Sequence, residues 1–185
     1  HQSLENHQGE NIFFDAAGDD KMSLPMKSYL AGQVEYLKEF LALCAPSINS
    51  YTRLVKGAWA PTTSSWGVEN RTTAFRVIPG TQKSQRVEFR LGSADANPYL
   101  AAAALVGTGL FGIRNSLKLP AKLTGNAYEQ EEGLEPKYHL SSNLRDATFF
   151  FHHSPVAKEI LGAQFVEHFT ASRLWEVREY EKQVT

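Results

Sequence analysis

The sequence predicts an α+β fold, a largely antiparallel sheet backed by helices, and three observations carry that expectation. Short alternating polar and apolar stretches cluster between Ser50 and Arg90, apolar residues recur at helical spacing before Cys44, and the last quarter of the chain holds helix-start signals in series. With 185 residues, 42% of them hydrophobic, the chain has the length of one domain and enough apolar side chains for its own core.

Taken in order, His1-Gln2-Ser3-Leu4 reads as a strand, Gly9-Glu10-Asn11 as a turn and Ile12-Phe13-Phe14 as a second extended segment. The chain starts without methionine and runs straight into a strand, so a fragment or a partly ordered chain is expected. Ser23-Leu24-Pro25 supplies a cap followed by a helix-starting proline, and Leu30, Val34, Leu37 and Leu41 form one apolar stripe up to Cys44. Pro46 ends that helix. Three strand-like segments follow, Ser50 to Val55, Asn70 to Ile78 and Arg86 to Arg90. Asn97 is then the cap and Pro98 the first residue of a helix to Asn115, whose Ala101 to Ala104 run allows a close helix-to-sheet approach. The polar, Gly-containing stretch from Pro120 to Pro136 predicts a surface excursion. Helices are expected over about Leu144 to His153, from Ser154-Pro155 onward, and past Gly162 to about Gln183.

A net charge of −1 excludes a broad electrostatic attraction to nucleic acid or an anionic membrane. The one cysteine, Cys44, excludes an internal disulfide and sits in an apolar run, so a buried structural thiol and a reducing cytoplasm are expected. The longest apolar stretch, Tyr99 to Ile113, is broken by Gly107, Thr108, Gly109 and Gly112, which argues against a membrane span.

The positive charge is local. Between Arg53 and Arg90 stand Arg53, Lys56, Arg71, Arg76, Lys83, Arg86 and Arg90, against only Glu69 and Glu88. In a strand, Arg86, Glu88 and Arg90 share one face and Val87 and Phe89 the other, so the carboxylate is expected between the Arg86 and Arg90 guanidiniums. A single Arg/Glu triplet is usually a solvated ion-pair face. The surplus of guanidiniums, which grip carboxylate and phosphoryl oxygens in fixed geometry, predicts instead an anionic ligand, and Glu88 suits a divalent cation accompanying a nucleotide.

Four motifs occur in order: Asn49-Ser50-Tyr51-x-Arg53-Leu54-Val55, Asn70-Arg71-x4-Arg76-Val77, Arg86-Val87-Glu88-x-Arg90 and Ala96-Asn97-Pro98-Tyr99-Leu100. Together they resemble the glutamine synthetase superfamily, and the chain looks like residues 1–185 of the C-terminal portion of its catalytic domain, part of a glutamine-synthetase-type barrel. The resemblance implies an ATP-dependent ligase that phosphorylates the side-chain carboxylate of glutamate and lets ammonia or an amine displace the phosphate. It implies that Arg53 and Arg90 hold the amino-acid substrate and that Arg71 acts catalytically over the transferring phosphoryl group. His1, Ser3, Arg76, Lys83 and Arg86 resemble nucleotide-contacting positions, and Glu88 matches a ligand of Mg2+ (or Mn2+). His1 and Ser3 correspond to the end of a Gly-x-Gly-x-His-x-His-x-Ser segment. A cytoplasmic homo-oligomer is the family expectation.

Two departures qualify the resemblance. The family's first metal-binding histidine and its other glutamate ligands lie upstream of what His1 begins, so this chain alone is expected to show no turnover. Where ammonia-using members place a glutamate in a Pro-Gly-x-Glu-x-Pro loop, this chain reads Lys56-Gly57-Ala58-Trp59-Ala60-Pro61, and indole is no general base. Trp59 either packs the loop or forms an apolar wall for an organic amine, leaving ammonia and amine both open as nitrogen donors. A catalytically inactive structural protein of the same fold is the alternative reading, against which stands the joint retention of Arg53, Arg71, Arg76, Arg86, Glu88 and Arg90. His152-His153 reads as ordinary surface or helix-packing histidines and not as a metal site. Tyr128 resembles a tyrosine that some bacterial members adenylylate, but its Leu-Pro context is missing and it reads as an unmodified surface residue.

Overall fold

A computed structural model describes residues 1–183. The longest helix, α1 (Leu24–Cys44), starts where Ser23 accepts a hydrogen bond from the Met26 amide and Pro25 sits in the first turn, the cap and proline that the sequence supplies. Leu30, Val34, Leu37 and Leu41 are all buried along it. Against one side of α1 lies a three-stranded sheet, β1 (Trp66–Val68), β2 (Phe75–Ile78) and β3 (Arg86–Phe89), in the order β1-β2-β3. Against another lies α2 (Pro98–Arg114), capped by Asn97 as the sequence predicts. A short α3 (Ala127–Gln130) precedes α4 (Leu144–His153), α5 (Pro155–Leu161) and α6 (Ala163–Glu181), the three C-terminal helices expected.

The fold is α+β, as expected, with a mixed sheet. β2 and β3 pair antiparallel, with Arg76 opposite Glu88 and Val77 opposite Val87, whereas β1 and β2 run parallel with Trp66 opposite Phe75. Parallel neighbours ordinarily need a long crossover. Here β1 is so short, spanning about 10 Å, that the link from Glu69 to Ala74 suffices to return to its start, with Glu69 itself in the left-handed region at φ 49°.

Four stretches expected from the sequence to be extended take other forms. Residues 1–4 and 12–14 make only isolated bridges, Gln2 with Val87 and Phe14 with Met22, because Asn6 and Asn11 side chains bond neighbouring amides and divert the backbone from a ladder. Ser50 to Val55 is no strand: Ile48–Arg53 forms a 3-10 helix, initiated by a reciprocal Ser47 and Ser50 capping pair. Asn70 to Ala74 is a turn ahead of β2, since the Asn70 carbonyl oxygen Oδ1 accepts from the Thr72 amide at 3.0 Å and its hydroxyl at 2.7 Å.

The core joins both layers. Phe75, Val77 and Val87 from the sheet are fully buried with Phe13, Leu30, Leu41 and Phe151. Tyr29 of α1 packs on Phe13 with ring centroids 5.2 Å apart and donates its hydroxyl to Gln2 Oε1 at 2.8 Å. Burial pushes the Tyr29 phenol up to about 12, which keeps it a donor at neutral pH. At its far end α2 makes a close helix-to-helix contact: a Cβ on Gly112 would fall 2.2 Å from the Ser28 carbonyl oxygen and 2.8 Å from the Gly32 amide of α1. The stretch after α2 is a surface excursion in part only. Pro120 and Leu123 lie along the edge of β1, where the Trp66 indole donates to the Pro120 carbonyl at 2.9 Å and the Leu123 amide to the Trp66 carbonyl at 2.9 Å.

The α1–α2 contact generates a prediction. Gly112→Ala forces two backbones apart and is expected to cost about 1–3 kcal/mol, lowering Tm by roughly 2–9 °C in a chain of this size. Gly133→Ala, with nothing within 4 Å of the added methyl, serves as the control. Thermal unfolding followed by circular dichroism makes the comparison, and equal Tm values for the two variants would contradict the close approach.

Candidate active site

Alternation gives the sheet two unlike faces. The face carrying Phe75, Val77 and Val87 is sealed in the core, so the intervening residues must project the other way. On β2 that is Arg76, and on β3 it is Arg86 and Glu88, with Arg90 continuing the alternation just past the strand, its amide donating to the Ala74 carbonyl at 2.9 Å. The Gln2–Val87 bridge, closed by two bonds of 2.8 and 3.0 Å, places His1 opposite Glu88 and Ser3 opposite Arg86 on the same face. Gln2, between them, points inward to Tyr29 and Gln33. Six of the residues singled out in the sequence thus share one surface of the sheet.

Their contacts differ from the expectation in one respect. Glu88 lies between Arg76 and Arg90, not between Arg86 and Arg90: Arg76 Nη1 stands 3.2 Å and Arg90 Nε 3.8 Å from Glu88 Oε2. Cross-strand partners approach more closely than second neighbours along a strand, which is why the β2 arginine takes the place assigned to Arg86. Arg76 also grips Glu69, which with Glu88 raises its pKa above the usual guanidinium value, the Glu69 hydrogen bond contributing most. Arg86 turns to the N-terminus, its Nε donating to His1 Nδ1 at 3.3 Å and its Nη1 to the Ser84 carbonyl at 2.9 Å.

Arg53 and Arg71 reach this row through the backbone. Arg53 ends the 3-10 helix and donates from Nη2 to the Leu91 and Gly92 carbonyls at 2.7 and 3.2 Å, so it hangs beside the exit of β3. The Arg71 carbonyl accepts a hydrogen bond from the Arg90 guanidinium, while Arg71 lines a concavity of about 430 Å³ with Glu69, Asn70 and Lys122. Lys83 sits at the exposed tip of the β2–β3 hairpin, apart from the row. Arg71 thus lines a hollow beyond the end of the row. Among the described residues, Arg53, Arg71, Lys83 and Arg86 have no acidic partner, so a surplus of positive charge stands around Arg76, Glu88 and Arg90.

The site residues fit a divalent cation in one way only. All Glu88 contacts use Oε2, leaving Oε1 as a hard oxygen ligand, and among the described residues no group of three His, Cys, Asp or Glu assembles a metal site. One carboxylate suits a magnesium ion that draws its other ligands from phosphates, water and further protein groups. In the His152–His153 pair, His153 Nδ1 lies 2.8 Å from the Phe149 carbonyl oxygen.

Two supports were not evident in the sequence. Asp95, read only as part of a helix start, accepts hydrogen bonds from the Ser47 and Ser50 hydroxyls, the latter at 3.0 Å, and so clamps the 3-10 helix that carries Arg53. Tyr128, read as a surface residue, donates its hydroxyl to the Ala60 carbonyl at 2.9 Å and thereby touches the Trp59 loop. Both contacts join residues more than forty positions apart, and no local pattern marks such a pair. Cys44 is buried and its thiol is pushed up to about 12, consistent with a structural role.

This geometry accords with comparisons to known proteins. The sequence model of the glutamine synthetase catalytic domain matches residues 1–185. The chain is 46% identical over 178 residues to type-1 glutamine synthetase 2 of Dictyostelium discoideum, covering 95% of this chain and 34% of that protein. It is 40% identical over 185 residues to the gamma-glutamylethanolamide synthetase GlnA4 of Streptomyces coelicolor, covering 100% of this chain and 38% of that one. A solved GmaS/ADP complex superimposes with a TM-score of 0.87 at 32% identity, covering 99% of this chain and 42% of that chain. The chain belongs to the glutamine synthetase catalytic-domain family, a family of carbon–nitrogen ligases. It spans about a third to two fifths of the relatives it matches. No helix among the described residues is long and apolar enough to cross a membrane.

The Asp95 clamp has a pH signature. The Ser47 hydrogen bond is the largest influence and burial, which opposes it, the next; with the Ser50 and backbone hydrogen bonds and the nearby Arg53 charge, the net effect holds the Asp95 carboxyl below its usual range. A carboxyl whose folded pKa lies below its unfolded value of about 3.9 contributes stability that is fully present above that pH and lost as pH falls through the folded value. Asp95→Asn is therefore expected to lower stability at pH 6–7, by less than about 1 kcal/mol for so exposed a group, with the gap to wild type narrowing below about pH 4. Urea midpoints across that range provide the measurement, and a gap independent of pH would count against the clamp.

Proposed function

We propose that this chain is the C-terminal part of the catalytic domain of a longer ATP-dependent ligase that forms a γ-glutamyl amide from glutamate and ammonia or an organic amine by way of γ-glutamyl phosphate. The observation that carries the reading is the cationic sheet face, with Glu88 between Arg76 and Arg90 and unpartnered arginines around it. In a loose phosphoryl-transfer transition state, charge is spread over oxygens, and preorganised cations stabilise it with little reorganisation.

Each residue has a defined task in this reading. Arg53 and Arg90, fixed by the backbone carbonyls of Leu91, Gly92 and Arg71, hold the carboxylate-bearing substrate. Arg86, Arg76 and the flexible Lys83 meet the nucleotide phosphates, with His1 and Ser3 on the same face beside them. Glu88 contributes one oxygen to a magnesium or manganese ion, which when bound polarises and neutralises phosphoryl oxygens. Arg71 stabilises the transferring phosphoryl group from the turn that Asn70 organises. The sheet rests on residues of this chain, but a complete set of metal ligands requires residues beyond those it carries, so the chain alone is read as inactive and a homo-oligomeric, cytoplasmic whole protein as the working form.

Trp59 bears on the nitrogen donor. It stands 66% exposed at the tip of the Lys56 to Pro61 loop, where an acid would otherwise take a proton from ammonium, and it offers an apolar wall with cation–π capacity. Several relatives are named for organic amines, among them a glutamate–isopropylamine ligase of Pseudomonas at 37% identity and a gamma-glutamylputrescine synthetase of Escherichia coli at 38% identity. This favours an amine over ammonia.

Two measurements on the full-length protein test the reading. Incubation with glutamate, ATP, magnesium and a panel of alkyl, hydroxyalkyl and diamines, with product mass and phosphate release recorded, is expected to yield a γ-glutamyl amide of an amine. Exclusive use of ammonia would remove the amine assignment, and no ATP-dependent amide at all would remove the ligase. Arg71→Ala is expected to reduce turnover by a factor of about 10²–10³, the usual loss for one preorganised stabilising group; a rate close to wild type would take Arg71 out of the chemistry.

A further inference from the structure

The loop that carries Trp59 is held by two distant segments: past its end the Leu140 amide donates to the Thr62 carbonyl at 3.0 Å, and side chains of a second segment hold the loop itself. Trp59 adopts φ 55°, a left-handed conformation uncommon for a bulky residue, which persists only where the surroundings impose it. Its own loop supplies little: Gly57 is also left-handed at φ 84°, and the backbone bond within the loop is Ala58 to Val55 at 3.2 Å. The restraint comes from the segment Asn126 to Glu131. Tyr128 donates to the Ala60 carbonyl at 2.9 Å, Glu131 Oε2 accepts from Thr62 at 3.0 Å, and the same carboxylate pairs with Lys56 at 3.2 Å. Both ends of the loop and its last turn are therefore gripped by two side chains seventy residues further on.

That segment, with the residues just before it, also fixes the turn bearing Arg71. Asn70 Nδ2 donates to the Leu123 and Gly125 carbonyls at 3.2 and 2.8 Å, and the Ala127 amide donates to the Thr72 hydroxyl at 2.9 Å. Ala127 is buried and Glu131 is nearly so, its side chain 14% exposed, so the grip is seated on the body of the protein. Burial raises the Tyr128 phenol above its ordinary value despite the nearby Arg90 charge, which keeps the hydroxyl protonated and able to donate.

We infer that Asn126 to Glu131 is a latch on the Trp59 loop, with Tyr128 and Glu131 as positioning residues that set how tightly the nitrogen donor is held. The hydroxyl of Tyr128 is committed to the Ala60 carbonyl, which gives this tyrosine a structural task in place of modification. The link to the donor rests on the ligase reading; the link between latch and loop does not.

The test separates the two. In the full-length protein, Tyr128→Phe deletes one hydroxyl and leaves Lys56 and its pairing with Glu131 intact. Loss of one such hydrogen bond is expected to raise native-state tryptic cleavage after Lys56 about 3–10-fold, with Tm within about 2 °C of wild type. The KM for the nitrogen donor, whether amine or ammonia, is expected to rise by a similar factor, while the KM values for glutamate and ATP stay within about twofold. Glu131→Gln, which keeps an acceptor for Thr62 but loses the charge facing Lys56, is expected to raise the donor KM less than Glu131→Ala. Unchanged cleavage in Tyr128→Phe overturns the latch whatever the reaction proves to be. Faster cleavage with an unchanged donor KM, or with all three KM values rising together, overturns the positioning role while leaving the ligase reading in place.

Discussion

The contact between Glu88 and its two arginines, Arg76 across the strand pair and Arg90 further along the chain, is the constraint on which the rest of the structure turns. A strand has a period of two, so the register that brings Arg76 opposite Glu88 also sends Val77 and Val87 inward together. A slip by one residue would bury Arg76 and Glu88 against α1 and expose the valines. Core burial therefore fixes the position of the charges, and the charges in turn have no low-cost place in the core. The apolar face thereby specifies the charged one.

What surrounds that row is arranged by contacts of a different kind. Backbone carbonyls hold Arg53 and Arg90, and they do so without neutralising them, which leaves the guanidiniums available to an anion. Glu69 and Glu88 offset part of the charge near Arg76, whereas Arg53, Arg71, Lys83 and Arg86 keep theirs among the described residues. An ion-pair face built for stability alone would pair its charges; here acids and bases are matched at the centre and mismatched around it. Such an arrangement agrees with the proposed ligase reading, in which the surface receives phosphate and carboxylate groups.

The loops follow the same economy. The 3-10 helix ahead of Arg53 is clamped by Asp95, the turn bearing Arg71 by Asn70, and the Trp59 loop by Tyr128 and Glu131. In each case a loop or turn is tied to a neighbouring segment by side-chain hydrogen bonds. Rigid support of this sort is what lets surface loops hold reactive groups in register.

The sequence by itself determined the elements whose causes are local. Ser23 and Pro25 start α1, Asn97 and Pro98 start α2, the three C-terminal helices fall at their own starts, and the alternation in β3 sorts Arg86, Glu88 and Arg90 to one face. The motif order also identified the family. Only the tertiary structure decided which arginine shares Glu88 with Arg90, that Ser50 to Arg53 coils into a 3-10 helix, that β1 runs parallel to β2, and that Arg71 lines a hollow of its own. It also revealed that Gly112 of α2 closely approaches α1, and that Tyr128 is engaged with Ala60. Caps and periodicity act over a few residues and can be read from neighbours in the chain. Cross-strand partners and loop anchors are chosen by packing between distant segments, and those distances exist only once the chain has folded.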